Sequence, residues 1–182
     1  MKCDLFQVYG LTETAGAITI LMPEDHDPEK GKLRSCGKAL NSVEIKVVDD
    51  EGNEVKTGDI GEVISKSPLN MKGYWNRPDA TEEAIKDGWF YSGDAGFFDD
   101  EGYLYIHDRV KDMIVSGGEN IYPAEVENAL MSHPEIADAA VIGVPDDKWG
   151  ESVKGFVVLQ PDSNLDETEI ISYSRTQIAG YK

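Results

Sequence analysis

Apolar and polar residues alternate with a period of two along several short segments in the first part of the chain. Residues 43–49 show this pattern and run into a turn-forming Asp-Glu-Gly-Asn at residues 50–53. Three later segments continue it, each bounded by Gly, Asp or Asn: 60–66, 89–91 and 103–106. Alternation predicts half-buried strands, and short strands separated by turns predict an antiparallel β-rich unit over about residues 17–110.

The second part of the chain predicts strands that alternate with helices. A short strand is expected at residues 113–115 and buried strands at 136–144 and 152–160. Pro123 suits the first position of a helix that His133-Pro134 ends. Asp166, with Glu169 three residues later, has the spacing of a capping box that starts a last helix. The predicted fold is therefore mixed α+β, a β-rich part followed by a small α/β domain.

The chain is strongly acidic. Its 182 residues include 17 Lys and Arg against 35 Asp and Glu, which gives a formal net charge of −18. The acidity is spread over both parts, and such a surface repels the phosphates of nucleic acids and anionic lipid headgroups. We therefore expect no nucleic-acid partner and no membrane-surface partner. A hydrophobic fraction of 40% is enough for a packed core.

Nothing in the sequence predicts export or membrane insertion. No apolar run approaches the roughly 20 residues that cross a bilayer, and residues 1–6 lack the apolar stretch of a secretion signal. Cys3 and Cys36 form no CxxC pair, and few histidines accompany them as zinc ligands. These features favour two reduced thiols in a cytoplasmic protein without a transmembrane segment.

The first candidate site is the run Tyr-Gly-Leu-Thr-Glu at residues 9–13. Tyr9 offers a flat ring for a purine, and Gly10 lets the backbone approach a phosphate. Thr12 offers a hydroxyl donor, and Glu13 a carboxylate for Mg²⁺. The same residues also suit a strand end, a turn and a helix cap, so the run by itself leaves both interpretations open.

The second candidate is Ser92-Gly93-Asp94, which follows Tyr91. One carboxylate can accept hydrogen bonds from both vicinal hydroxyls of a ribose, as acidic residues do in dinucleotide-binding folds. A Ser-Gly-Asp turn is the alternative, and a single occurrence would favour it.

Two further runs follow along the chain. Residues 108–112, Asp-Arg-Val-Lys-Asp, form a dense charge cluster that closes a strand and could equally be a solvated hairpin end. Gly117 and Gly118 remove side chains where a backbone or a thin ligand must pass, or simply form a flexible turn before the helix at Pro123.

In order and spacing, these runs closely resemble the adenylate-forming superfamily of acyl-CoA synthetases, peptide-synthetase adenylation domains and beetle luciferases. The motifs that most resemble fatty-acyl and related CoA ligases are Gly61-Glu62-Val63, the run 73–78 (Gly-Tyr-Trp-Asn-Arg-Pro), the run 87–90 (Asp-Gly-Trp-Phe), and 91–94 onward to Glu127. The resemblance covers essentially the whole chain. It departs at Asn41-Ser42, where the family often has Pro-Gly and where we expect the turn to persist.

For the first part of the chain, the resemblance implies a nucleotide site. Tyr9 would lie against adenine, with Gly10 beside it, and Thr12 would hydrogen-bond the α-phosphate. Glu13 would help to hold Mg²⁺. Asp94 would accept from the ribose hydroxyls.

For the second part, the resemblance implies a moving domain. Arg109 would add a charged donor to the ribose, and Lys111 would be the hinge between a large and a small domain. Gly117 and Gly118 would border the channel for the pantetheine arm of coenzyme A. Residues 1–110 would then be the end of the large AMP-binding domain, and 111–182 the hinge and small domain, both incomplete.

The implied activity is that of an ATP-dependent acyl-CoA ligase that uses ATP, Mg²⁺, coenzyme A and a small carboxylic acid. The resemblance favours a fatty acid without identifying the acid, and no oligomeric state is implied. Alternatives are an adenylating enzyme with another acceptor and a non-catalytic interaction module. The family's Ser/Thr/Gly-rich phosphate loop is absent from these residues, and Lys182 follows Tyr181 rather than the glycine that precedes the family's adenylation lysine. We therefore expect a piece of a longer enzyme, inactive alone.

Overall fold

The computed structural model describes residues 3–182. Met1 and Lys2, where the segment considered as a secretion signal begins, lie outside the described residues. Two units divide the chain, the first ending at Ile106 and the second comprising His107–Lys182. The described residues contain twelve strands, three α-helices and four one-turn 3-10 helices. The predicted mixed α+β class is therefore confirmed.

A three-stranded antiparallel sheet begins the first unit. Its strands, in spatial order, are β1 (Gln7–Leu11), β2 (Gly16–Leu21) and β3 (Lys38–Ala39). The β structure thus starts ten residues before the predicted limit at residue 17. The alternation rule missed β1 because it is an edge strand whose side chains are mostly exposed, so no apolar face marks it.

Gly10 is required where β1 meets β2. The pairing register shifts between Tyr9 and Gly10, and a Cβ on Gly10 would lie inside contact distance of the Gly16 carbonyl oxygen. Because the obstacle is backbone, a side chain at this position forces the two strands apart.

We therefore expect Gly10→Ala to lower the free energy of unfolding by about 1–3 kcal/mol, the usual cost of overpacking. Gly155→Ala is the matched control, since its Cβ would meet Leu130 Cδ1 at an ordinary 3.6 Å; it should change stability by less than about 0.5 kcal/mol. Urea unfolding of both variants measures the change in the free energy of unfolding. Equal changes in the two variants would contradict a steric conflict at Gly10.

A second sheet completes the first unit. The strands are β4 (Glu44–Val48), β5 (Gly61–Lys66), β6 (Ile85–Lys86), β7 (Trp89–Phe98) and β8 (Leu104–Arg109), with helix α1 (Pro78–Ala84) before β6. The last three residues of β8, 107–109, already belong to the second unit. The order is β4-β5-β7-β6, and β8 also pairs with β7. Val47, Val63 and Leu104 form its core. Because β7 continues to Phe98, Asp94 lies within a strand and not in a turn.

The second unit contains a four-stranded antiparallel sheet with two helices. Its elements are β9 (Ile114–Ser116), β10 (Glu119–Ile121), α2 (Pro123–Met131), β11 (Ile136–Asp146), β12 (Gly150–Leu159) and α3 (Glu167–Gln177). The strand order is β10-β9-β12-β11. Side chains from the sheet and from α2 share one core: Ile114, Ile121, Val126, Leu130, Ile136 and Val141.

In both helices of this unit, a carboxylate accepts a hydrogen bond from a backbone N–H of the first turn. The first turn of α2 carries Pro123, and the Ala124 N–H donates to Asp108 Oδ2 at 2.8 Å. The predicted capping box of α3 is confirmed. The Glu169 N–H donates to Asp166 Oδ1 at 2.9 Å, and the Asp166 N–H donates to Glu169 Oε2 at 3.1 Å. None of the helices in residues 3–182 combines the length and apolarity that spanning a bilayer requires.

Candidate nucleotide site

A tight connection between β1 and β2 presents the first candidate residues. It is a single 3-10 turn, Thr12–Thr14, that Ala15 closes in the left-handed conformation. The hydroxyl of buried Thr14 accepts from the Leu11 N–H at 2.9 Å and lies 2.7 Å from the Gly16 carbonyl oxygen. With Thr14 holding the turn, Thr12 remains exposed and Glu13 half-buried. Both can therefore meet a ligand.

Tyr9 and Asp94 come together from strands β1 and β7. The Tyr9 hydroxyl donates to Asp94 Oδ2 at 2.6 Å across 85 residues of sequence. Asp94 is 6% exposed, so the hydrogen bond forms away from most solvent. Burial, reinforced by this carboxylate, raises the pKa of Tyr9 far above its ordinary range. The tyrosine therefore stays protonated and keeps donating.

Two neighbours fix the backbone around Asp94. The Ser92 hydroxyl donates to the Val63 carbonyl at 2.6 Å and accepts from the Asp94 N–H at 3.0 Å. The Gly93 N–H donates to Glu62 Oε1 at 2.9 Å, with Gly93 at φ 72°. Burial raises the pKa of Glu62, while the Gly93 N–H opposes that rise. We did not predict a positioning role for Glu62, because strand pairing alone brings it to Gly93.

An aromatic ring joined to a carboxylate is suited to a nucleoside. The ring of Tyr9 offers a face for a flat base. The Asp94 carboxylate has about four acceptor positions, so a hydrogen bond from Tyr9 leaves capacity for ribose hydroxyls. The two motifs that the sequence presents separately thus form one site in the first unit. Their roles toward a nucleotide stay predictions.

The Tyr9–Asp94 hydrogen bond predicts a pH effect on stability. Since the pKa of Tyr9 lies above the ordinary 10.0 in the folded state, folding holds that proton more tightly than the unfolded chain does. The bound proton of Tyr9 therefore contributes to the free energy of unfolding below pH 10, and this contribution is lost as the pH rises further. Melting temperatures between pH 8 and 11 should fall more steeply for the wild type than for Tyr9→Phe. Parallel profiles would contradict this expectation.

Glu13 fits Mg²⁺ as a shared ligand. Its Oε1 accepts from the Tyr74 hydroxyl at 2.8 Å, and within the described residues no hydrogen bond reaches Oε2. Residues 3–182 contain no group of three or more His, Cys, Asp or Glu side chains arranged to hold a metal ion. Proteins commonly bind Mg²⁺ through one or two carboxylates together with substrate phosphates. The donor set therefore fits a metal held jointly by Glu13 and a nucleotide.

The other predicted residues belong to the second unit. Arg109 ends β8, and Lys111 is exposed in a 3-10 turn, Val110–Asp112. Gly117 and Gly118 form the turn between β9 and β10, at φ 61° and 88°. A Cβ on Gly117 would lie 2.8 Å from the indole of Trp149. The backbone N–H of Gly117 donates to the Trp149 carbonyl at 2.8 Å. The roles of these four residues stay predictions.

Two family models match the chain. The model for AMP-binding enzymes matches residues 1–75, and the model for the C-terminal domain of AMP-binding enzymes matches residues 125–182. The chain therefore belongs to the AMP-binding, adenylate-forming enzymes, as its motifs predicted.

Two of the relatives are named as ligases of fatty acids. A fatty acid–acyl-carrier-protein ligase, ScoC of Streptomyces coeruleorubidus, is 42% identical over the whole chain, and a long-chain-fatty-acid–CoA ligase of Mycobacterium tuberculosis is 45% identical over 98% of it. The chain spans about 35% of the length of both. The structure of Bacillus subtilis o-succinylbenzoate–CoA synthetase with its acyl-adenylate intermediate matches 98% of this chain and 36% of that one. The TM-score is 0.89 and the identity 44%. That enzyme has also been solved with ATP and a magnesium ion.

Proposed function

We propose that this chain is part of an ATP-dependent, AMP-forming acyl-CoA ligase. The observation that carries the proposal is the 2.6 Å hydrogen bond from Tyr9 to Asp94, which unites the base-stacking and ribose-binding candidates in one site. In this proposal residues 1–110 are the end of the large AMP-binding domain. Residues 111–182 are the hinge and the small domain.

The proposed reaction has two steps. In the first, a carboxylate oxygen of the acid attacks the α-phosphorus of ATP, and pyrophosphate leaves as acyl-AMP forms. In the second, the thiol of coenzyme A attacks the acyl carbon, AMP leaves, and the thiol proton is released. When bound, Mg²⁺ offsets the negative charge on the phosphates.

The residues of the first unit bind and orient ATP. The Tyr9 ring stacks on adenine, and Asp94 accepts from the ribose hydroxyls while the Tyr9 hydroxyl holds its carboxylate. Gly10 leaves room for the phosphates to approach the backbone. The exposed hydroxyl of Thr12 donates to the α-phosphate, and Glu13 supplies one ligand to Mg²⁺. Together these contacts hold the α-phosphorus in place for attack.

The residues of the second unit act when the small domain turns between acyl-AMP formation and thioester formation. Arg109 donates to the ribose, and Lys111 is the hinge about which the small domain turns. Gly117 and Gly118, which lack side chains, border the path of the pantetheine arm. The exposed position of Lys111 supports this role, because hinge residues change their backbone dihedrals without breaking side-chain packing.

We propose a fatty acid as the substrate and coenzyme A as the acceptor. The support is that the relatives include a long-chain-fatty-acid–CoA ligase. An acyl carrier protein is the second candidate acceptor, because ScoC is named for it. Both cysteines are free, which agrees with a reducing, cytoplasmic location where ATP and coenzyme A are also available.

Product analysis tests the proposal. The complete polypeptide that carries this chain is incubated with ATP, Mg²⁺ and a series of carboxylic acids, with and without coenzyme A. We expect mass spectrometry to find acyl-AMP without coenzyme A and acyl-CoA with it, and residues 1–182 alone to yield neither. Acyl-AMP that coenzyme A does not consume would favour the carrier-protein acceptor, and no acyl-AMP with any acid would overturn the proposal.

A further inference from the structure

The side chain of Tyr74 reaches Glu13 across 61 residues of sequence. Its hydroxyl donates to Glu13 Oε1 at 2.8 Å. Tyr74 belongs to the connection between β5 and α1, outside the strands that carry the nucleotide motifs, and it is 38% exposed. Because the Tyr74 hydroxyl comes from another segment of the unit, its hydrogen bond restricts the orientation of the Glu13 carboxylate.

The segment that carries Tyr74 is anchored at both ends. On one side, the Met71 N–H donates to the Glu13 carbonyl at 2.6 Å. On the other, the Tyr74 N–H donates to the Thr81 hydroxyl at 2.9 Å, and that hydroxyl donates to the Arg77 carbonyl at 2.7 Å. The backbone and the side chain of Glu13 are thus both held by residues 71–74, through two independent hydrogen bonds.

We propose that Tyr74 is a positioning residue for the metal ligand Glu13. By donating to Oε1, it fixes the carboxylate and leaves Oε2 directed to Mg²⁺ and the phosphates of ATP. Hydrogen bonds to ligating carboxylates orient them, and losing such a partner typically weakens metal binding about 10- to 100-fold. The inference rests on the proposed function, because that function makes Glu13 a metal ligand.

Tyr74→Phe is the direct test, since it removes the hydroxyl and keeps the ring. Tyr105→Phe is the matched control: the Tyr105 hydroxyl also donates to a carboxylate, Asp99 Oδ2 at 3.3 Å, in another part of the same unit. The complete polypeptide is titrated with Mn²⁺ in the presence of ATP, and the relaxation rate of water protons reports bound metal. Mg²⁺ dependence of acid-stimulated pyrophosphate exchange is measured on the same samples.

We expect Tyr74→Phe to raise the dissociation constant for Mn²⁺ in the ATP complex about tenfold. The Mg²⁺ concentration for half-maximal exchange should rise by the same factor, with near-normal exchange at saturating Mg²⁺. Tyr105→Phe should match the wild type in both measurements.

Metal titrations of wild type and Tyr74→Phe that superimpose would overturn the inference, as would an equal shift in Tyr105→Phe. A purely structural role would lower activity at every Mg²⁺ concentration without moving the midpoint. If the wild type binds Mn²⁺ but exchanges no pyrophosphate, the proposed function fails while the positioning of Glu13 is still decided by the binding curves. If it binds no Mn²⁺ with ATP, both fail.

Discussion

Lys111→Pro in the complete polypeptide should leave acyl-AMP formation largely intact and reduce thioester formation steeply, by about a hundredfold or more. Proline fixes φ near −65°, and Lys111 lies in a 3-10 turn, Val110–Asp112, a conformation whose typical φ of about −50 to −70° overlaps that value. Proline is therefore compatible with this turn and prevents a change of φ at residue 111. If Lys111 is the hinge, the second half-reaction needs a different dihedral and is lost.

Lys111→Ala is the matched control for the hinge. It removes the charged side chain and leaves the backbone free, so we expect both half-reactions to continue. Pyrophosphate exchange and thioester yield are measured on one preparation of each variant. Equal losses of both activities in Lys111→Pro would contradict the hinge, and so would a loss of thioester formation in Lys111→Ala.

Asp94→Ala should weaken ATP binding about ten- to a hundredfold. Hydrogen bonds to a charged group contribute on the order of 1.5–3 kcal/mol, and the substitution removes the carboxylate that we assign to the ribose. It also leaves the Tyr9 hydroxyl without its acceptor. The variant should therefore also melt at a lower temperature than the wild type.

Asp94→Asn separates the two effects of that substitution. Asparagine keeps the size and one oxygen acceptor for Tyr9 but loses the negative charge, so we expect an intermediate ATP affinity with a smaller loss of stability. Calorimetric titration with ATP and thermal unfolding are run on both variants. If the ATP titrations of wild type and Asp94→Ala superimpose, Asp94 is a structural aspartate and the ribose assignment is wrong.

Hydrophobic alternation and capping motifs predicted the strands and helices in which these sequence patterns are strong. Strands β4 and β5 alternate clearly, and the capping box at Asp166 starts α3 as expected. The rules missed β1, whose exposed side chains hide the period, and helix α1, which lies outside the cores of both units. They also ended the Trp89 strand too early, since the Ser-Gly-Asp motif is usually found in turns.

The sequence predicted which residues belong to the candidate site but not which of them contact each other. Motif resemblance predicts that Tyr9, Glu13 and Asp94 belong to one nucleotide site, and their roles there stay predictions. The hydrogen bonds from Tyr9 to Asp94 and from Tyr74 to Glu13 join residues 85 and 61 positions apart. Which side chains meet over such separations depends on strand pairing and register, which a single sequence does not specify.

A crystal structure of the complete polypeptide with a non-hydrolysable acyl-AMP analogue tests the central claim most directly. We expect adenine against the Tyr9 ring and both ribose hydroxyls within hydrogen-bond distance of the Asp94 carboxylate, with the Tyr9–Asp94 hydrogen bond retained. A nucleotide bound elsewhere, or a ribose that makes no contact with Asp94, would contradict it.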